Sequence, residues 1–168
     1  MEAQEFVAQI FERIWSVTDS TLDGLTNDEL TVRPAPDSNS IGWHLTRVED
    51  RWLHSIAGSA DEVWRRGWAE RLGLEELLDT TGGGMPKEQV DAFNTPTLEQ
   101  LQGYQAAVRQ ETRAYLGSLP SEDFDREIET WFGRTMSIGE VFVHVSCELN
   151  QHVGQLSYLK GYLRSSPG

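Results

Sequence analysis

Between Ser137 and about Leu163 the apolar residues Ile138, Val141, Phe142, Val145, Leu149, Leu156, Leu159 and Leu163 recur at helical spacings of three, four and seven. In a helix of about 3.6 residues per turn this spacing gathers them on one stripe, and a helix with a single apolar stripe must bury it against other elements. Glu148 and His152 fall on the same stripe, one turn apart. A carboxylate and an imidazole so placed can bite one ion. Buried without a partner they would be expensive, because a desolvated charge needs strong compensation.

Other segments repeat the pattern. From about Glu2 to Asp19, Val7, Ile10, Phe11, Ile14 and Val17 share a face, with Leu22 and Leu25 extending its edge. Pro34 and Pro36 then mark an irregular connection. Ser38-Asn39-Ser40 offers an N-cap for a second helix with the inward stripe Ile41, His44, Leu45, Val48, Trp52 and Ile56, stopped at Gly58. Thr97 to Gln100 and Ser137 to Glu140 both match a capping box. The first opens a third helix with Leu98, Leu101, Tyr104, Val108, Tyr115 and Leu119 inward, ended by Pro120. Residues 59–96 break the periodicity. Asp61 to Leu74 reads as a short helix, and Gly82-Gly83-Gly84 with Pro86 reads as a linker. Trp131-Phe132-Gly133 reads as a turn, and no alternating strand pattern competes. Residues 1–168 are therefore expected to form a single all-α domain, an up-down four-helix bundle with a long irregular connection between helices 2 and 3. Connections of that length often serve as lids or binding walls. Ser40-Ile41-Gly42 and Ser137-Ile138-Gly139 open the second and fourth helices alike.

Composition narrows the function. The net charge of −13 repels phosphate backbones and anionic bilayers, so neither nucleic acid nor membrane is expected as a partner. The single Cys147 allows no disulfide within one chain and no cysteine zinc site. The acidic start Met1-Glu2-Ala3-Gln4-Glu5 lacks the features of a signal peptide, and the cytoplasm is the expected compartment.

The four histidines are His44, His54, His144 and His152. If the second and fourth helices lie side by side, His44, Glu148 and His152 converge as a two-imidazole, one-carboxylate set suited to Zn, Ni or non-haem Fe(II). The plainer alternatives are a hydrogen-bonded core histidine and a helix ion pair worth a few tenths of a kcal/mol. Four-residue steps drift by about 40° around a helix, so His144 is placed at the edge of this set. His54 is expected at the surface, and Cys147 as a small buried thiol. Trp43, Trp52, Trp64, Trp68 and Trp131 either line an aromatic pocket or fill core and lid contacts. No Ser-His-Asp arrangement or phosphate-binding glycine loop is present in the pattern.

At Ser40-Ile41-Gly42-Trp43-His44-Leu45 with Glu49, and at the closing run from His144 to His152-Val153-Gly154-Gln155, the chain resembles the DinB-like family of bacterial metal-binding four-helix proteins. Trp68 to Leu74 and Pro96-Thr97-Leu98 extend the likeness over nearly the whole chain. The resemblance implies a metal held by one early ligand and two spaced by four near the end, which fall on His44, Glu148 and His152. A histidine is usual where Glu148 stands. A carboxylate there adds negative charge, favours harder metals and reduces Lewis acidity. The resemblance further implies a thiol-dependent transferase, in which a divalent ion lowers the pKa of a low-molecular-weight thiol such as bacillithiol or mycothiol. The alternatives are a metal-dependent hydrolase acting on a small-molecule substrate, and a non-catalytic binding or stress-response module. Dimerisation through exposed helix faces is a further expectation from the family.

Overall fold

The computed structural model describes residues 1–44, 47–58, 61–77, 79 and 84–165. Among these, eight α-helices are formed: α1 (Ala3–Leu22), α2 (Asn27–Thr31), α3 (Ile41–His44), α4 (Val48–Ile56), α5 (Trp68–Leu72), α6 (Lys87–Asp91), α7 (Leu98–Ser118) and α8 (Ile138–Ser165). Side chains close the orphan N–H groups at the helix starts. Thr97 accepts from the Gln100 backbone while Gln100 reaches back, and Glu140 and Ser137 satisfy each other in the same reciprocal way. Thr26 and Glu29 form a third such box and open α2, a helix that periodicity does not predict and that seats Leu30 in the core.

Four units build the bundle. α1 and α7 run antiparallel, since Glu12 pairs with Arg113 and Asp19 with Arg109. α1 and α8 run parallel, with Phe11 on Phe142 and Thr21 on Ser157. The α3–α4 unit runs against α8, because His44 meets His152 and Trp52 meets Glu148. The chain therefore travels up, down, down and up. Two consecutive long helices pointing the same way require a connection spanning the bundle's length, and this accounts for the long segment from Ala57 to Thr97.

The described residues of that segment are anchored on the bundle. The segment's core residues Val63, Trp64, Ala69, Leu72, Leu74 and Leu77 pack on Tyr104 and Val108 of α7. The expected Asp61–Leu74 helix is instead a 3-10 turn, Val63–Arg65, followed by α5, and Gly67 at φ +90° separates them. The left-handed conformation interrupts the helical path and suits only glycine comfortably. Fully buried Asp50 on α4 reaches across to hold the turn, accepting from Val63 N at 3.0 Å, Trp64 N at 2.8 Å and the Tyr104 hydroxyl at 2.8 Å. Buried Arg47 adds an ion pair with Glu62, a bond to the Leu77 carbonyl and a stack on the Trp64 ring. Gly82 and Gly83 of the expected linker, and Leu45 of the expected stripe, lie outside the described residues.

A second departure from the all-helical expectation is a small hairpin, β1 (Glu127–Glu129) against β2 (Thr135–Ser137), antiparallel with Ile128 opposite Met136. Both apolar side chains turn to the core, and the anticipated turn at Trp131-Phe132-Gly133 is the hairpin tip. Strands of three residues are too short to display period-two alternation.

The bundle interior is layered. One apolar layer contains Phe11, Trp15, Val48, Trp52, Leu116, Val141, Phe142 and Val145. The other contains Leu22, Leu25, Leu30, Ile41, Leu101, Leu156 and Leu159. Burial of each such side chain contributes roughly 1.5–3 kcal/mol. Between the layers the sequence is polar, and the candidate site lies there. Among the described residues no helix is long and apolar enough to cross a membrane.

Candidate functional site

An interior cavity of about 50 Å³ separates the two apolar layers and is lined by residues of all four bundle units. α3 contributes His44, α4 contributes Glu49 and Asp50, α7 contributes Tyr104, Gln105 and Arg109, and α8 contributes His152. The volume suffices for a few waters or a hydrated ion, at about 10–15 Å³ per water centre. His44 also lines a wider outer groove of about 540 Å³ with Pro34, Ser38, Asn39, Gln151, Gln155 and Tyr158. Its imidazole thus stands between the interior cavity and the surface.

Two of the three expected ligands meet. His44 Nδ1 and His152 Nδ1 lie 3.2 Å apart, with the rings tilted by 50°. Two nitrogens each about 2.0–2.1 Å from one Zn ion at a near-tetrahedral angle stand about 3.3 Å from each other, so this pair matches the bite of a metal. Both rings are held neutral, the form in which an imidazole ligates. Burial and the neighbouring His152 push His44 down to about 4. Burial also lowers His152, opposed in part by the Glu148 charge and a hydrogen bond with Gln155. In the metal-free chain one Nδ1–H donates to the other ring.

Glu148 is turned differently. Its Oε2 accepts from Trp52 Nε1 at 3.0 Å and lies 3.7 Å from His144 Nε2, and a third of the side chain is exposed. It shares the helix face of His152 but not the cavity lining, and among the described residues no three His, Cys, Asp or Glu side chains are gathered for an ion. The donor set fits a metal through its two imidazoles; the carboxylate would have to leave Trp52 to join them. His144 packs on Trp52 with ring centroids 4.8 Å apart and the rings tilted by 56°, the peripheral position its drift around the helix predicts.

Glu49, like Asp50, brings a carboxylate to the cavity. Trp15 Nε1 donates to its Oε2 at 2.9 Å, and the Thr112 hydroxyl lies 2.6 Å from its Oε1. Burial raises its pKa more than these bonds and Arg109 lower it. Periodicity does not single out this residue, since polar positions on a helix ordinarily face water. The clue lies in the packing order, because Glu49 sits between Val48 and Trp52 on a helix buried on several sides.

Two expectations are corrected. His54 is buried, not superficial: its Nδ1 lies 2.9 Å from the Asp50 carbonyl and 3.0 Å from Asp50 Oδ1. The crossover covers the face of α4 that would otherwise meet solvent. Cys147 is exposed, because the α8 stripe is narrower than the bundle and leaves that position outside. Of the five tryptophans, Trp43, Trp52 and Trp64 are core, while Trp131 is exposed. None of the five lines the cavity; Trp15 does.

The glycine that follows Ile in the two helix starts has a physical basis. A Cβ on Gly42 would stand 2.2 Å from Thr95 Cγ2 and 3.4 Å from the Leu30 carbonyl oxygen, and one on Gly139 would stand 3.3 Å from the Phe124 carbonyl oxygen. Both starts dock tightly on another segment.

Among curated proteins none matches the chain. A conserved protein from Enterococcus faecalis, solved as a crystal structure, is similar with a TM-score of 0.81 and 22% sequence identity over 95% of this chain and 96% of that one. At that identity the likeness concerns the fold. The DinB superfamily pattern matches residues 10–156, spanning the cavity and all four bundle units, and the chain belongs to this superfamily.

Proposed function

We propose that this DinB protein binds one divalent metal through His44 and His152, with Glu148 as the third ligand, and that it acts on a small molecule entering by the outer groove. The observation that carries this reading is the pair of neutral imidazoles 3.2 Å apart at the boundary between groove and cavity. Glu148 supports it by position. It lies one turn before His152, close enough for its charge to act on that ring. A divalent ion at such a site lowers the pKa of a bound thiol or water. The chain's own residues would hold the site in place: Gln155 bonds His152 and the two apolar layers exclude bulk water, while Glu148 would exchange its bond from Trp52 for the ion.

Of the two chemistries, thiol-dependent transfer is the leading reading and metal-dependent hydrolysis the second. The groove walls carry Ser38, Asn39, Gln151, Gln155 and Tyr158, neutral hydrogen-bonding groups suited to a polar small molecule. Titration calorimetry of metal-free protein with Zn, Ni and anaerobic Fe(II) should give one site per chain, weakened at least about 100-fold in His152→Ala. Equal binding in the variant, or none in either protein, would overturn the proposal. Incubating the metal-loaded protein with electrophilic acceptors, with and without added low-molecular-weight thiol, separates the two chemistries.

A further inference from the structure

The Thr112 hydroxyl has one proton and two claimants. Its oxygen lies 2.6 Å from Glu49 Oε1 and 3.2 Å from the Val108 carbonyl oxygen, and both are acceptors if Glu49 is ionised. One contact would then be unsatisfied. If Glu49 carries the proton instead, every group is served: Glu49 donates to Thr112, Thr112 donates to Val108, and Trp15 Nε1 donates to the other carboxyl oxygen. The surroundings agree. Burial raises the Glu49 pKa, with Asp50 adding repulsion. Of the cations on α7, Arg109 is paired with Asp19 and Arg113 with Glu12. Across the same cavity Gln105 Oε1 is buried with no hydrogen-bond partner among the described residues, an acceptor facing space wide enough for a few waters.

We propose that Glu49 is an interior acid: it holds a proton in the resting protein and exchanges it through the cavity with whatever is bound at His44 and His152. In the forward direction the Glu49 O–H bond breaks and the proton passes, directly or by way of cavity water, to a basic atom of the bound molecule. The electron pair stays on the carboxylate. The Thr112 hydroxyl then turns from the Val108 carbonyl to Glu49, so the new charge receives donors from both Trp15 and Thr112 without backbone movement. The reverse step takes a proton from an acidic ligand. The role in exchange rests on the proposed binding site, whereas the resting protonation does not.

The test has two stages that separate these. Infrared difference spectroscopy of metal-free protein at neutral pH should show one carboxylic-acid C=O band that is absent in Glu49→Gln. Glutamine reproduces the protonated acid, accepting from Trp15 and donating to Thr112, so this variant should fold and melt no lower than the wild type at pH 7. Since a raised carboxyl pKa gives stability that is full below the unfolded value of 4.5 and is lost as pH rises toward the folded value, Glu49→Gln should gain on the wild type progressively above pH 4.5. Absence of the band, or a marked loss of melting temperature at pH 7, would overturn the proposal by showing an ionised Glu49. Proton release on adding Zn, measured in buffers of different ionisation enthalpy, then reads the coupling. Release should be smaller in Glu49→Gln; equal release in a protein that does bind Zn would overturn the exchange role alone. Thr112→Ser should behave as wild type and Thr112→Val should hold the acid band to higher pH.

Discussion

Substituting Asp50 by asparagine isolates the electrostatic pin between bundle and crossover without creating a hole. In the native chain Oδ1 receives Val63 N–H and lies 3.0 Å from His54 Nδ1, while Oδ2 receives Trp64 N–H and the Tyr104 hydroxyl. All of these groups present protons to the carboxylate. An amide has only one acceptor oxygen, so whichever way the new side chain turns, its NH₂ faces a backbone N–H. Hydrogen bonds to a charged group contribute about 1.5–3 kcal/mol each, and stranding a buried donor costs about 1–3 kcal/mol. At least one backbone donor is stranded and the charge assistance of the others is lost. Because contacts that share a partner are not additive, the expected cost is about 3–5 kcal/mol. Urea denaturation of wild type, Asp50→Asn, Tyr104→Phe and the double variant would measure it. Tyr104→Phe alone should cost about 1.5–3 kcal/mol, and much less in the Asp50→Asn background, where the hydroxyl has lost its charged acceptor. A cost below about 1 kcal/mol for Asp50→Asn, or full additivity of the pair, would refute the reasoning.

Acid should destabilise the metal-free chain in a definite window. A histidine whose folded pKa is depressed gives stability that is present above its ordinary value of 6.5 and lost as pH falls toward the folded value of about 4. At about 1.4 kcal/mol per unit, reduced because the His44 ring borders the groove, the loss between pH 6.5 and 4 is about 1–2 kcal/mol, and His44→Gln should show a correspondingly flatter profile by thermal denaturation. Gly42→Ala should cost about 1–3 kcal/mol through the clash with Thr95 Cγ2, and Thr95→Ser should recover much of it in equilibrium unfolding. Glu148→Gln should leave melting nearly unchanged, because an amide oxygen still accepts from Trp52, while weakening metal binding at least about 10-fold by calorimetry.

The four bundle units, α1, α3–α4, α7 and α8, are legible because each carries an apolar stripe, and three of their starts announce themselves through Thr97, Ser137 and Ser40, although the second unit is two helices, α3 and α4, rather than one. The direction of α7 is not, since periodicity carries no sign; only the length of the segment before it hints at a crossover. The Thr26–Glu29 box is readable in principle, but α2 is only five residues long and shows no periodicity to support it. At the site, the meeting of His44 and His152 follows from two stripes facing each other. The rotamer of Glu148 does not, because Trp52 competes for its carboxylate from another helix. Glu49 is hidden for a related reason: its burial depends on Trp15 and Thr112, which arrive from helices far away in sequence. Likewise the burial of His54 depends on a crossover without a repeat of its own.

Anomalous diffraction at a metal absorption edge, on crystals of the chain loaded with Zn, tests the central claim most directly. A single strong peak should lie between His44 Nδ1 and His152 Nδ1, with the Glu148 carboxylate swung away from Trp52 to complete the shell. A peak at any other place, or Zn-loaded crystals in which the imidazoles still face each other with no ion between them, would contradict the account.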